Sequence, residues 1–238
     1  MDSTFYTTIS RQSGLMKEMQ SVANNIANAA TTGYREEGVI FSEFVRQLEG
    51  SHDSLSMAYG NVRNTNFLQG GMDQTGGDFD LALEGDGFFM IETPGGNRLT
   101  RAGVFFPNEV GELVNPDGHR LLDLGEAPIF IPPDAQSITV GQDGTLSVNG
   151  VQQTQIGLFM PEDSNQMMRE DGVRFRVEGN VVEAENVNVL QGFLEAANVD
   201  PVSQITRMIE VQRSYEMGQA FMDKEEERLR GLMETLGR

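Results

Sequence analysis

Residues 200–238 read DPVSQITRMIEVQRSYEMGQAFMDKEEERLRGLMETLGR. Asp200 offers a carboxylate that can cap free N–H groups, and Pro201 fits the first helical position, where a missing donor does no harm. No further proline follows. Met208, Tyr215, Met222, Leu229 and Leu236 recur every seven residues, and Ile205, Gln212, Gln219, Glu226 and Met233 form the weaker companion register of a heptad. The stretch predicts one helix of about 35 residues, some ~50 Å long at about 1.5 Å per residue. A compact domain of this size does not need such length, so the seam asks for another long helix. Gly218 and Gly231 each cost about 1 kcal/mol relative to alanine inside a helix. Their presence predicts a second backbone passing close by.

The matching segment lies at the other end, where Phe5, Ile9, Met16, Met19, Ala23, Ile26 and Ala30 fall on spacings of three and four, interrupted by Gln12. Asn24, Asn25 and Asn28 sit inside this seam. They are poor helix formers but capable hydrogen-bonding partners for a neighbouring helix, and Thr31-Thr32-Gly33 marks the exit.

The whole chain of 238 residues is long enough to bury a core. Its formal charge is −19 and it contains no cysteine, which excludes disulfides and thiolate chemistry and suits passage into an oxidising space. The charge is unevenly spread. Residues 1–30 are neutral and residues 201–238 carry −1, leaving −18 on residues 31–200. Near-neutral ends are free to associate, whereas the acidic middle argues against nucleic acid and anionic lipid as partners. No window approaches a membrane span and the N-terminus lacks the pattern of a signal peptide, so neither membrane insertion nor ordinary secretion is expected.

Between the helical ends, residues 36–78 lose helical period; Phe41, Phe44, Val45 and Leu48 suggest one more short helix, and Gly70-Gly71 and Gly76-Gly77 read as linker. From Phe79 onward the pattern is that of strands. Short apolar runs such as Leu81 to Leu83, Phe88 to Ile91, Leu113-Val114, Leu146 to Val148 and Phe175 to Val177 alternate with turn signals, including Asn115-Pro116-Asp117-Gly118 and Gln142-Asp143-Gly144-Thr145. The expected class is α+β: long N- and C-terminal helices forming a coiled-coil-like arm, with a central antiparallel all-β domain. The expected divisions are an N-terminal helical segment at 1–35, a linker at 36–78, the β domain at 79–192 and a C-terminal helical segment at 193–238.

Nothing nominates catalysis, a cofactor or a metal. His52 and His119 are not metal-spaced, Gly85-Asp86-Gly87 precedes a strand rather than a helix, and acidic pairs such as Asp78/Asp80 or Glu84/Asp86 are unremarkable among 36 acidic residues. The rival class is a carboxylate-dependent carbohydrate-acting or ligand-binding β protein.

Four blocks carry a resemblance. They are Ala23-Asn24-Asn25-Ile26-Ala27-Asn28 with Thr31-Thr32-Gly33-Tyr34-Arg35; Gly85-Asp86-Gly87-Phe88-Phe89 with Thr100-Arg101-Ala102-Gly103 and Gly111 to Gly118; Asp143-Gly144-Thr145-Leu146 with Ile156-Gly157-Leu158; and Leu194-Glu195-Ala196-Ala197-Asn198-Val199 with Met208 to Glu216. Together they resemble the bacterial flagellar basal-body rod proteins, the group that also contains the hook protein. The length and the charged ending are similar to the proximal-rod branch, with the distal rod subunit as the alternative. Ala197 departs from the serine often found there.

The resemblance implies a structural subunit of the periplasmic rod in the flagellar basal body, exported unprocessed by the flagellar type III apparatus. Its implied partners are that apparatus and the other proximal and distal rod subunits, with no small-molecule substrate. The expected assembly interface comprises Phe5, Ile9, Met16, Met19, Ala23, Asn24, Asn25, Ile26 and Asn28 at one end, and Ile205, Met208, Ile209, Gln212, Tyr215, Met222, Leu229 and Leu236 at the other.

Overall fold

The computed structural model describes residues 2–47 and 54–236, with side chains at 7–41 and 64–233. The chain divides into two units. The first takes residues 1–29, 36–66 and 199–238, and the second takes residues 30–35 and 67–198. No helix among the described residues is long and apolar enough to cross a membrane.

The first unit holds helix α1 (Asp2–Ala27), strands β1 (Glu37–Gln47) and β2 (Ser54–Thr65), and helix α2 (Pro201–Leu236). Helix α2 begins where the Asp-Pro step predicts: the Val202 N–H donates to Asp200 Oδ1 at 3.1 Å, and the Ser203 hydroxyl donates to Oδ2. These bonds, the Ser203 one foremost, hold the exposed Asp200 carboxyl below its usual range.

Strands β1 and β2 pair antiparallel from Glu37↔Thr65 to Gln47↔Ser54, with a register shift between Ile40 and Phe41. The short helix expected at Phe41, Phe44, Val45 and Leu48 is therefore corrected to a strand as far as Gln47, Leu48 lying outside the described residues. Valine, isoleucine and phenylalanine at 39–41 and 44–45 favour extended backbone. The partner strand, SLSMAYGNVRNT, is too rich in Ser, Gly and Asn to announce itself.

The second unit is the β body. It starts with β3 (Met72–Gln74), β4 (Leu81–Glu84), β5 (Phe88–Thr93), β6 (Gly96–Thr100), β7 (Phe106–Pro107), β8 (Leu113–Val114) and β9 (Arg120–Leu121). It continues with β10 (Ile138–Val140), β11 (Thr145–Val148), β12 (Val151–Gln155), β13 (Leu158–Pro161), β14 (Met167–Asp171), β15 (Arg174–Val177), β16 (Val181–Glu183), β17 (Asn188–Gln191) and β18 (Phe193–Glu195). The main sheet runs β14-β15-β6-β5-β9-β8-β7, with β13 pairing both β5 and β16; β10-β11-β12, β17-β4 and β18-β3 form smaller sheets. Every strand pairing is antiparallel, so α+β holds.

Alternation along β5 divides the core. Phe89 and Ile91 enter a cluster with Leu83, Leu121, Ile156 and Val189, while Phe88 and Met90 enter a second with Leu99, Phe159 and Phe175. Both faces of this strand are buried, which accounts for its unbroken apolar run. Residues 30–35 and 67–198 hold seven arginines, no lysine and 21 acidic side chains, a net −14.

Candidate assembly surface

Helices α1 and α2 pack antiparallel, because contacts move up α2 as they move down α1. Asn25 Nδ2 donates to Gln204 Oε1 at 3.1 Å, Arg207 Nε to Glu18 Oε1 at 2.7 Å, and Gln12 Nε2 to the Tyr215 carbonyl oxygen at 2.9 Å. The bond to Glu18 raises the Arg207 guanidinium above its usual pKa. Asn25 also ties α1 to β1. Its Nδ2 donates to the Glu37 carbonyl at 2.8 Å and its Oδ1 accepts the Glu37 N–H at 2.9 Å, so the side-chain amide mimics a strand neighbour. Ser21 Oγ donates to the same carbonyl at 2.9 Å, and Gln204 Nε2 donates to Glu36 Oε1 at 2.7 Å.

The face buried on α1 is Gln12, Leu15, Glu18, Ser21, Val22 and Asn25. On α2 it is Gln204 and Val211, with Met208, Tyr215, Gly218 and Met222 half-buried between and beyond them. The α2 face has the expected heptad spacing. Its second register, however, is Gln204, Val211 and Gly218, whereas Ile205, Gln212, Glu226 and Met233 are exposed and Gln219 is half-buried. A reading keyed to apolar bulk misses a contact made by amides and by a glycine that allows close approach. The expected close backbone is not what Gly218 meets: an added Cβ would lie 2.1 Å from the side-chain nitrogen Gln12 Nε2, and at Gly231 it would meet nothing within 4 Å among the described residues.

The remaining expected interface residues divide by side. Asn25 is buried; Met19, Ile26 and Asn28 are half-buried; Ile9, Met16, Ala23, Asn24, Ile205, Ile209, Gln212 and Leu229 are exposed. Asn28 Nδ2 turns back to the Asn24 carbonyl at 2.9 Å. Phe5 and Leu236 lie outside the residues whose side chains are described. The two helices thus meet through a mixed face, in which Gln12, Asn25 and Gln204 sit beside Leu15, Val22 and Val211, and leave Ile9, Met16, Val202, Ile205, Ile209, Met217, Phe221 and Leu229 exposed.

In the β body, three segments distant in sequence meet around one carboxylate. Glu195 Oε1 lies 2.8 Å from Arg35 Nη2, and Oε2 lies 3.2 Å from Arg101 Nη1; all three side chains are buried. Gly70 N also donates to Oε1 at 2.9 Å. Arg35 donates to the Leu68 carbonyl, and Arg101 to the carbonyls of Leu83 and Gly85. Burial pushes both guanidinium groups down from their usual pKa, and the Glu195 charge opposes the shift. Arg169 stacks 4.6 Å from the Tyr34 ring centroid and 4.8 Å from that of Phe175, while its Nη2 donates to the Arg35 carbonyl at 2.6 Å.

The backbone at this junction has no room to spare. Gly33 has φ +69, and a Cβ there would lie 2.4 Å from Ala102 N; one on Gly103 would lie 1.6 Å from the Leu81 carbonyl oxygen. Arg35, Arg101 and Glu195 belong to three separate sequence blocks. Their one advance signal is a charge embedded in an otherwise small or apolar motif. Among the described residues no group of three or more His, Asp or Glu is arranged to hold a metal ion. His119 has both ring nitrogens within 3.3 Å of Arg174 Nη1, and His52 lies outside the described residues.

Three family descriptions match this chain. The flagella basal body rod protein model covers residues 5–35, the flagellar hook protein FlgE/F/G D1 domain covers 82–148, and the flagellar basal body rod FlgEFG protein C-terminal model covers 190–234. The chain is 40% identical over 245 residues to the flagellar basal-body rod protein FlgF of Caulobacter vibrioides, covering 100% of this chain and 99% of the relative. It is 36% identical over 243 residues to FlgF of Rhizobium meliloti, with the same coverage. Against the flagellar basal-body rod protein FlgG of Bacillus subtilis it is 30% identical over 257 residues, covering 97% of each.

Proposed function

This chain belongs to the flagellar basal-body rod protein family, and from that premise we propose that it is a structural subunit of the proximal rod, part of the axial shaft that transmits torque. No catalysis is assigned to it. The greater identity to FlgF than to FlgG favours the proximal position over the distal one.

The observation that carries the assembly reading is the set of apolar side chains, Ile205, Ile209, Phe221 and Leu229 among them, that pairing of the two helices leaves exposed. Helices α1 and α2 act as the assembly segments, forming a coiled-coil-like arm whose exposed apolar side chains pack on neighbouring rod subunits. The β body, residues 67–198, lies on the outside of the rod. Contacts of this head-to-tail kind extend without closing. A net −14 on the body keeps subunits from associating through the wrong surface. The chain reaches the periplasm unprocessed through the flagellar type III export apparatus.

The test is incorporation. Ile209→Asp, Leu229→Asp and Ile9→Asp, expressed in a strain lacking the native chain, are expected to melt like wild type when purified yet to be missing from isolated basal bodies, leaving cells non-motile. Normal motility in all three would remove these exposed side chains from the mechanism.

A further inference from the structure

Six of the 13 methionines lie in the long helices: Met16 and Met19 in α1, and Met208, Met217, Met222 and Met233 in α2. With no cysteine in the chain, thioethers are its readily oxidised sulfur. Three of the six stand open: Met16 is 48% exposed, Met217 65% and Met233 68%. Met217 borders a groove of about 240 Å³ between α1 and α2, beside Gln12, Leu15 and Phe221. Elsewhere, Met168 on β14 is exposed to the same degree as Met16, at 49%, and Met90 in the β core is 3% exposed.

We propose that the exposed helix methionines Met16, Met217 and Met233 are separate oxidation sites at which hydrogen peroxide converts thioethers to sulfoxides and so withholds the damaged free subunit from assembly. The methionine sulfur attacks one peroxide oxygen, an S–O bond forms as the O–O bond breaks, and proton transfer to the departing oxygen releases water. Sulfur is oxidised by two electrons and the peroxide is reduced. The product is a strongly polar S=O group in place of a soft apolar atom. On a helix surface that assembly covers this matters, because a desolvated sulfoxide needs a hydrogen-bond donor that an apolar contact does not supply. On Met168 the same chemistry has no such consequence. The inference rests on the assembly reading above and adds a chemical checkpoint to it; a sulfoxide reductase with a thiol reductant reverses the step.

Peptide mass mapping of the purified full-length chain in hydrogen peroxide tests the site itself. Met16, Met217, Met233 and Met168 should gain oxygen at least about tenfold faster than Met90, as exposure controls thioether oxidation. Equal rates at Met90 and the three helical residues would overturn the proposal.

Basal-body incorporation tests the consequence. The triple variant Met16→Gln/Met217→Gln/Met233→Gln, carrying polar side chains of similar length, should be incorporated at least about tenfold less than wild type. The corresponding triple leucine variant and Met168→Gln should both be incorporated normally, which separates polarity from misfolding and from methionine loss in general. Normal incorporation of the triple glutamine variant overturns the proposal; if Ile209→Asp is also incorporated normally, the assembly reading falls with it.

Discussion

Gln12 Nε2 donates a 2.9 Å hydrogen bond to the main-chain carbonyl oxygen of Tyr215, across 203 positions of sequence. The opposite amide oxygen, Gln12 Oε1, is buried without a hydrogen-bond partner among the described residues. One turn along α2, a Cβ on Gly218 would come within 2.1 Å of the donating nitrogen. Gly218 therefore trades helix propensity for this contact, and alanine there should disturb it. Replacing Gly218 by alanine in an otherwise wild-type chain is expected to be close to neutral, because about 1 kcal/mol of propensity is offset by about 1 kcal/mol of lost hydrogen bond. In a Gln12→Ala background the same change should stabilise by about 1 kcal/mol, a coupling readable by urea denaturation of the four variants.

Glu195→Ala leaves the buried Arg35 and Arg101 without their shared carboxylate. A loss of about 3–5 kcal/mol is expected. Replacing all three side chains by apolar residues of similar size should recover most of it, since a buried ion network contributes more to register than to stability. Chemical denaturation followed by circular dichroism distinguishes these outcomes.

Gly103→Ala and Gly118→Ala differ in what surrounds them. At Gly103 the new methyl would strike the Leu81 carbonyl oxygen, and the Leu81 N–H donates to the Gly103 carbonyl at 2.9 Å, so neither backbone can withdraw freely. A destabilisation of about 3 kcal/mol or more is expected. At Gly118, φ +81 in the Asn115 turn, an added Cβ would meet nothing within 4 Å among the described residues, and its alanine variant should lose only about 1–2 kcal/mol, the cost of left-handed backbone. Thermal melts rank the two.

Asp200 titrates at the start of α2. Its carboxyl is held below the usual range by Ser203 and the Val202 N–H, so the stabilisation it lends is present above about pH 4, its unfolded pKa, and lost as pH falls through the depressed folded value. Amide exchange at Val202 to Gln204, followed from neutral to acidic pH, should show the first turn opening in wild type. Asp200→Asn should keep the cap and lose that acid dependence.

Much of the architecture was legible because its signals are periodic. Asp200-Pro201 marks the start of α2, the recurrence of Met208, Tyr215 and Met222 marks one side of its contact face, and runs such as Phe88 to Ile91 mark the core strands. Strands β12 (VQQTQ) and β14 (MMRED) were missed because their side chains lie largely at the surface and carry little alternation. The β1–β2 pair was missed for the same reason on its second strand. Within the candidate surface, Ile9, Ile205 and Ile209 stand out by hydropathy, whereas Gln12, Gln204 and Asn25 act through amide geometry, which no periodicity displays.

The meeting of Arg35 and Arg101 at Glu195 also sets a schedule. Arg35 comes early in the chain and Glu195 on β18 late, with 160 positions between them. A polypeptide synthesised from its N-terminus delivers both cations long before the anion that neutralises them. Until β18 is made, the body lacks its closing strand and the pairing of β3 that depends on it. Long-range closure of this kind delays folding, so the body cannot complete its core while the chain is still growing.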